Sequence, residues 1–340
     1  MGNEFFGKVQ YGKESAAAHG TPVTATKILL GKVPAINSDR KPVIPNEDAG
    51  LRTRGVRAVI HQYLYSNTLT TEHGYFQELP ALFGCGLKGG VTASEQTPSQ
   101  GDYLWNFTPS LLFGVSNAPD SLTLELGDDA RVRQSEYVMF ERIRISGQVS
   151  QGMDASPVTI ERDFFGRQLS PVSAFTAALS LPAAEPINAK LSRFYLDSAW
   201  SGIGGTEKLN ILRSFDVEIL TGLHPKFSGS GNKYFNTHGE GLITFAANFT
   251  FEGNSDAEAI ADAQQAATFQ AVRLKINGGQ IGTGQNHSLT VDMGGVWESV
   301  SQMGAKDRTD NLHTATLMDQ YDATGAKLLQ VAVSTDSNSY

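Results

Sequence analysis

The chain has 340 residues, 18% of them charged, with 35 glycines, one cysteine and a formal net charge of −8. That length favours two domains of ordinary size, and the single cysteine excludes an intrachain disulfide framework and a cysteine-based metal site. With −2 carried by residues 1–180 and −6 by residues 181–340, a basic nucleic-acid grip is excluded too, and no run reaches the roughly 18 to 20 apolar residues of a membrane-spanning helix.

Met1 to Phe6 has neither a basic start nor an apolar run, so no secretory signal is expected. Residues 1–26 are rich in Gly, Ala and Ser with little periodicity and read as an extended arm. Strand-like alternation begins at Lys27 and returns at 56–65, 103–108, 122–126, 137–149 and 158–165. Between them, 33–54 contains Pro and Asp and reads as a projecting ordered loop. Residues 70–87 keep Phe76, Leu79 and Phe83 at helical spacing, with Pro80 as an interruption. Pro182 and Pro186 mark a stiff connection near 181–186.

In the second half, 215–220 and 242–252 read as strands, the latter with Ile243, Phe245, Ala247, Phe249 and Phe251 on one face. Gly-rich loops are expected at 201–206 and 222–241. A helix should follow Gly253, capped by a Ser255/Glu258 capping box and carrying an apolar stripe of Ile260, Ala263 and Ala267. Past Gln330 the chain reads as another assembly segment, like the arm and the two long loops.

Ser121-Leu122-Thr123-Leu124-Glu125-Leu126-Gly127 recurs as Ser288-Leu289-Thr290-Val291-Asp292-Met293-Gly294, an offset of 167 residues. Lys27 to Gly31 matches Arg193 to Asp197 within one residue of that register, and Leu104 to Phe107 matches Ala271 to Leu274. Fixed-period similarity of this kind indicates two joined, related units. The expected architecture is mainly β: an arm at 1–26, then related sandwich- or barrel-like domains at 27–185 and 186–340, each with a flanking helix. In both heptapeptides alternate residues are apolar, and the opposite face carries a hydroxyl followed by a carboxylate. Glu125 and Asp292 are therefore expected on a wet, acidic surface.

Catalytic chemistry is not legible. No pair of the seven histidines has zinc-ligand spacing, and there is no nucleophile elbow. Gly202 to Lys208 lacks the ending of a phosphate loop, and Asp128 with Asp129 reads as a solvated turn rather than a glycosidase pair. Cys85 sits among apolar neighbours without an adjacent base and reads as an inert buried thiol. Trp105, Phe164, Phe165, Trp200 and Trp297 are expected in cores or subunit contacts. No enzyme activity, cofactor or metal is expected.

Three segments carry a family likeness: Tyr11-Gly12-Lys13-Glu14-Ser15 with Gly20-Thr21-Pro22-Val23, the heptapeptide from Ser121 with Asp128, and Thr221-Gly222-Leu223-His224-Pro225-Lys226-Phe227. Together they resemble the tail tube, or major tail, proteins of long-tailed bacteriophages, in the larger type that fuses two tube domains. The resemblance implies a virion protein, made in the host cytoplasm, that polymerises as stacked rings into a conduit for genome delivery. It implies homotrimeric rings of pseudo-sixfold symmetry, and the paired repeat positions of Glu125 and Asp292 lead to the expectation that both face the lumen. Tape-measure, tail-terminator and distal tail proteins would be partners, and double-stranded DNA would pass without specific binding or any membrane anchor. Another phage structural protein, a capsid decoration or carbohydrate-binding β-sandwich, is the alternative.

Overall fold

The computed structural model describes residues 7–48, 50–53, 55–128, 130–301 and 311–340, and is mainly β. Strands β1 (Lys8–Lys13), β2 (Lys27–Leu29), β3 (Arg40–Val43), β4 (Val59–Tyr63) and β5 (Tyr65–Thr71) precede helix α1 (Leu79–Gly86). Then come β6 (Ser94–Glu95), β7 (Tyr103–Phe107), β8 (Leu122–Gly127), the long β9 (Val132–Gln148), β10 (Val158–Gly166) and β11 (Ser170–Val172). The second half holds β12 (Ser192–Asp197), β13 (Glu207–Lys208), β14 (Leu212–Leu220), β15 (Leu223–Lys226), β16 (Thr237–Glu240), β17 (Thr244–Glu252) and helix α2 (Ser255–Gln265). The last strands are β18 (Gln270–Gln280), the long β19 (Asn286–Ser301), β20 (Leu312–Asp319) and β21 (Leu329–Thr335).

The strands assemble around β9 and β19. A wide antiparallel sheet runs β5–β10–β9–β14–β17–β20–β19. The first part of β9 leaves it to join an outer sheet, β2–β1–β8–β9–β11. The first part of β19 likewise joins a second outer sheet, β13–β12–β18–β19–β21–β7–β6. One apolar core links the inner faces of these sheets with α1 and α2, from Val9 to Tyr340. It is not interrupted near 185, because β14 hydrogen-bonds to β9 and β21 to β7.

The two crossings are built differently. In β9, a bulge opposite β8 carries Tyr137 at φ 58°, a left-handed conformation that costs energy for a bulky residue. The buried carboxylate of Glu14 holds it there, accepting from the Tyr137 backbone N–H at 2.8 Å. In β19 the crossing falls at Gly294-Gly295, and Gly295 pairs with Gln270 on one side and Asp319 on the other. A Cβ at Gly295 would lie 2.2 Å from the Met318 carbonyl oxygen, so only glycine admits that approach.

Several sequence expectations change. The segment 1–26 is not an arm over residues 8–13, because β1 is an interior strand of the first outer sheet, largely buried between β2 and β8. Residues 329–335 are likewise the interior strand β21, not a free tail. The two long loops contain short paired strands: β3 pairs with β4, which lies beyond residue 54, and β15 pairs with β16 at the base of the second loop. Nor does the 167-residue offset recur in pairing, since β7 hydrogen-bonds to β21 and β6 whereas its counterpart β18 pairs with β12 and β19. Alternation reports which face is buried, not which strand lies alongside.

Both helices lie close to expectation. α1 is entirely buried and follows a 3-10 turn at Phe76–Glu78, and Pro80 falls in its first turn, where the missing N–H costs nothing. α2 is capped by Asn254 rather than Ser255: the Asn254 side chain, on extended backbone, accepts from the N–H groups of Asp256 and Ala257.

Candidate functional site

One face of the wide sheet is apolar and buried; the other is polar and open. The open face follows from period-2 alternation along most of each strand; at Met139 of β9 and Phe165 of β10 it is instead apolar and covered by Leu223 and Phe235. β9 presents Arg142, Arg144 and Ser146 there, β10 presents Glu161 and Asp163, β14 presents Asp216 and Glu218, and β5 presents Ser66 and Thr68. β17 and β20 contribute Asn248, Thr250, Thr314 and Thr316. Residues from β9, β14, β17 and β20 line a shared depression across this face.

Its charges form a ladder across β10, β9 and β14. The Arg142 guanidinium donates to Asp163 from Nε at 2.6 Å and from Nη2 at 3.2 Å, and to Glu218 from Nη1 at 3.1 Å. Arg144 donates to Asp216 from Nε at 2.8 Å and from Nη2 at 2.7 Å, and to Glu161 from Nη1 at 3.3 Å. Each arginine is thus bidentate on one carboxylate and bridged to a second, and the four carboxylates outnumber the two cations. Burial alone would raise the Asp163 carboxyl, but Arg142 and Thr68 more than offset it and hold it below its usual range. Hydrogen bonds to Asp216 and Asp163 raise the two guanidiniums, which remain charged throughout the accessible pH range.

The two lateral edges of the sheet lack a full partner strand, and at the β19 margin the Gln264 side chain of α2 donates to the Glu298 carbonyl at 3.4 Å. β5 pairs fully with β10, while its far side carries one antiparallel bridge, from Lys32 to Thr70, and a bond from the Asn67 amide to the Ala35 carbonyl. At the other margin, residues 296–301 of β19 pair with β20, and no strand among the described residues covers their far side.

Glu125 and Asp292 are elsewhere. They lie on the outer sheets, and they are 5% and 4% exposed. Glu125 accepts from the backbone N–H and hydroxyl of Thr176 at 2.8 and 2.7 Å, because the chain after β11 folds over that face. Asp292 is clamped by Arg273 from Nε at 2.6 Å and Nη2 at 2.8 Å. The wet acidic surface expected at these positions is therefore corrected to two buried, satisfied carboxylates. Alternation placed them opposite the apolar face; it carried no information about what covers them.

Other candidates resolve into structure. Asp128 caps a turn by accepting from Ala130 and Arg131, whereas Asp129 lies outside the described residues. Cys85 is buried, and burial pushes its thiol far up. Trp105, Phe164, Phe165, Trp200 and Trp297 are all buried. Among the described residues no group of His, Cys, Asp and Glu is arranged to hold a metal ion, and no helix is long and apolar enough to cross a membrane.

One further cluster, at the β9 crossing, has no signature in the sequence. His19 stacks on Tyr137 with ring centroids 5.4 Å apart, and the Tyr137 hydroxyl lies 3.1 Å from Nδ1 of His238. Arg167 lies over the Tyr137 ring and donates to the carbonyls of Gly20, Phe235 and Asn236. Burial, then the neighbouring His19, lowers the His238 imidazole below its usual range. These residues are scattered from position 19 to 238, so only the fold brings them together.

No family model matches the chain. No curated protein matches it either.

Proposed function

We propose that the chain is a tail tube protein of a long-tailed bacteriophage, a virion component whose copies close into rings and stack into a conduit for DNA. The observation that carries this reading is the wide sheet: two margins without a full partner strand, one buried face and one polar face whose acids outnumber its arginines. A sheet with free edges must be paired or guarded, and pairing the β19 margin of one copy with the β5 margin of the next gives a heterologous contact that closes by rotation. Within the antiparallel order β5–β10–β9–β14–β17–β20–β19 the two edge strands run the same way. The antiparallel bridge at Lys32 adds an outermost element that runs opposite to β19, so closure on residues 30–36 is antiparallel.

In this reading the polar face lines the channel, in place of Glu125 and Asp292. The ladder's two arginines, and Arg213 at the rim of the depression with its partner Glu252, are already engaged by carboxylates, so a polyanion finds no free counter-charge and slides past hydroxyls, amides and acids. Two related halves per chain make the ring a trimer of pseudo-sixfold symmetry. Tape-measure, terminator and distal tail proteins are its partners in the virion, and no catalysis is involved.

Electron microscopy of the purified protein at rising concentration tests the proposal. Hollow tubes built from threefold rings are expected; particles that stay monomeric at all concentrations sink it, and rings of six whole chains remove the two-units-per-chain part.

A further inference from the structure

Beyond β21, residues 336–340 leave the second outer sheet and lie across the first half of the molecule. Asp336 accepts from the Gln77 amide at 2.9 Å, and the Ser337 carbonyl accepts from the Trp105 indole N–H at 2.9 Å. Lys27 donates to the Ser337 hydroxyl at 3.0 Å and to the Ser339 carbonyl. Apart from the adjacent Thr335 hydroxyl, which donates to Asp336, the hydrogen bonds that leave this segment land between Lys27 and Asp120 among the described residues.

Tyr340 ends in a slot made for a phenol. Its hydroxyl donates to Asp120 Oδ2 at 2.5 Å, and the Asp120 side chain is 2% exposed. Lys13 Nζ sits 4.2 Å from the ring centroid and 3.0 Å from the same Asp120 oxygen, so one cation serves both the ring face and the carboxylate. The Trp105 ring forms a wall, its centroid 5.3 Å away. Gly84 of α1 makes the room: a Cβ there would lie 2.1 Å from the Tyr340 hydroxyl oxygen. Burial, followed by Cys85 and Asp120, pushes the phenol well above its usual range, so the hydroxyl stays a donor.

We propose that the slot formed by Gly84, Trp105, Asp120 and Lys13 is a tyrosine-recognition site, filled here by Tyr340 of the same chain and able to take Tyr340 of a second copy when β21 and residues 336–340 are exchanged between the two. The walls come from α1, β1, β7 and the approach to β8, none of which the segment itself builds. Because Thr335 pairs with Tyr103 of β7 directly before the segment, β21 and residues 336–340 move together, and their contacts are reproduced when both arrive from another molecule, as in segment exchange between identical protomers. The proposal stands apart from the tube reading and does not need it.

Tyr340→Ala in the full chain vacates the slot, and the probe is p-cresol, the tyrosine side chain alone, against toluene, the same ring without the hydroxyl. Saturable p-cresol binding that quenches or shifts Trp105 fluorescence and raises the melting temperature is expected, with toluene at least about tenfold weaker because it leaves the buried carboxylate without its donor. Equal binding of the two, or none by folded protein, overturns recognition of the phenol. If Tyr340→Ala does not fold, tyrosine nitration of Gly84→Ala decides instead: Tyr340, buried in wild type, should become modified, and resistance equal to wild type overturns the slot. For the second copy, Gly84→Ala, with a closed slot and a free segment, is mixed with Tyr340→Ala. A mixed dimer on size exclusion that neither variant forms alone is expected, and its absence removes exchange between copies.

Discussion

The two long strands β9 and β19 solve the same problem by different chemistry. Each starts in an outer sheet and ends in the wide one, so each needs a local departure from regular strand geometry. β19 uses two glycines, whose missing side chains let neighbouring backbone come close. β9 uses a tyrosine in a strained conformation, held by a buried carboxylate that also binds Gly20, Ser121 and Thr123. The first device lies in the chain itself and depends on no partner; the second depends on a residue more than a hundred positions away and on its charge.

The sharpest way to break this contrast is at Glu14. Glu14→Ala leaves four donors without their acceptor in a buried setting and should cost about 3 to 5 kcal/mol in urea denaturation. Loss of less than about 1 kcal/mol would mean that the bulge at Tyr137 is self-supporting. On the other strand, Gly295→Ala drives a methyl into the Met318 carbonyl and should cost about 1 to 3 kcal/mol. Neither change should alter the effect of the other if the crossings are independent, which a double-mutant cycle measures.

The third contrast is in pH. The folded state holds the His238 imidazole below its unfolded value, so below about pH 6.5 the unfolded chain binds the proton first. Its contribution to stability is complete above that pH and is lost as pH falls through the folded value. The imidazole's own contribution therefore weakens between pH 7 and 5, while Glu136 and Glu141, raised by burial, slope the other way. His287, also depressed by burial, adds a slope of the same sign as His238, so the decisive measurement is a shallower pH dependence in His238→Gln. The smallest effect on stability, under about 1 kcal/mol, belongs to Asp163→Asn combined with Asp216→Asn on the open face. Adding Glu161→Gln and Glu218→Gln leaves both guanidiniums without a carboxylate, and salt-sensitive retention of DNA that wild type lacks is then the expected outcome in a filter assay.

Period-2 alternation located most of the strands, and the capping signal located α2 to within one residue. The sequence reading failed where function depends on what lies over or beside a strand. Glu125 has the right alternation for an exposed residue and is covered by Thr176; β1 looks aperiodic because an interior strand of an outer sheet is buried over most of its length. The charged ladder was present in the alternating residues of β9, β10 and β14, but cross-strand register, which sets Arg142 opposite Asp163, is not written in any one strand. The repeated heptapeptides are both interior strands of outer sheets, yet the structural repeat is the crossing strand, and it falls at a different offset.

The crossing strands also settle how force travels. Where two sheets merely pack, a push on one reaches the other through side-chain contacts that slip and recover. Here the outer and wide sheets share two uninterrupted lengths of backbone, so a load on the surface of the molecule arrives at the polar face along covalent bonds, with Tyr137 and Gly295 as the points that must bend.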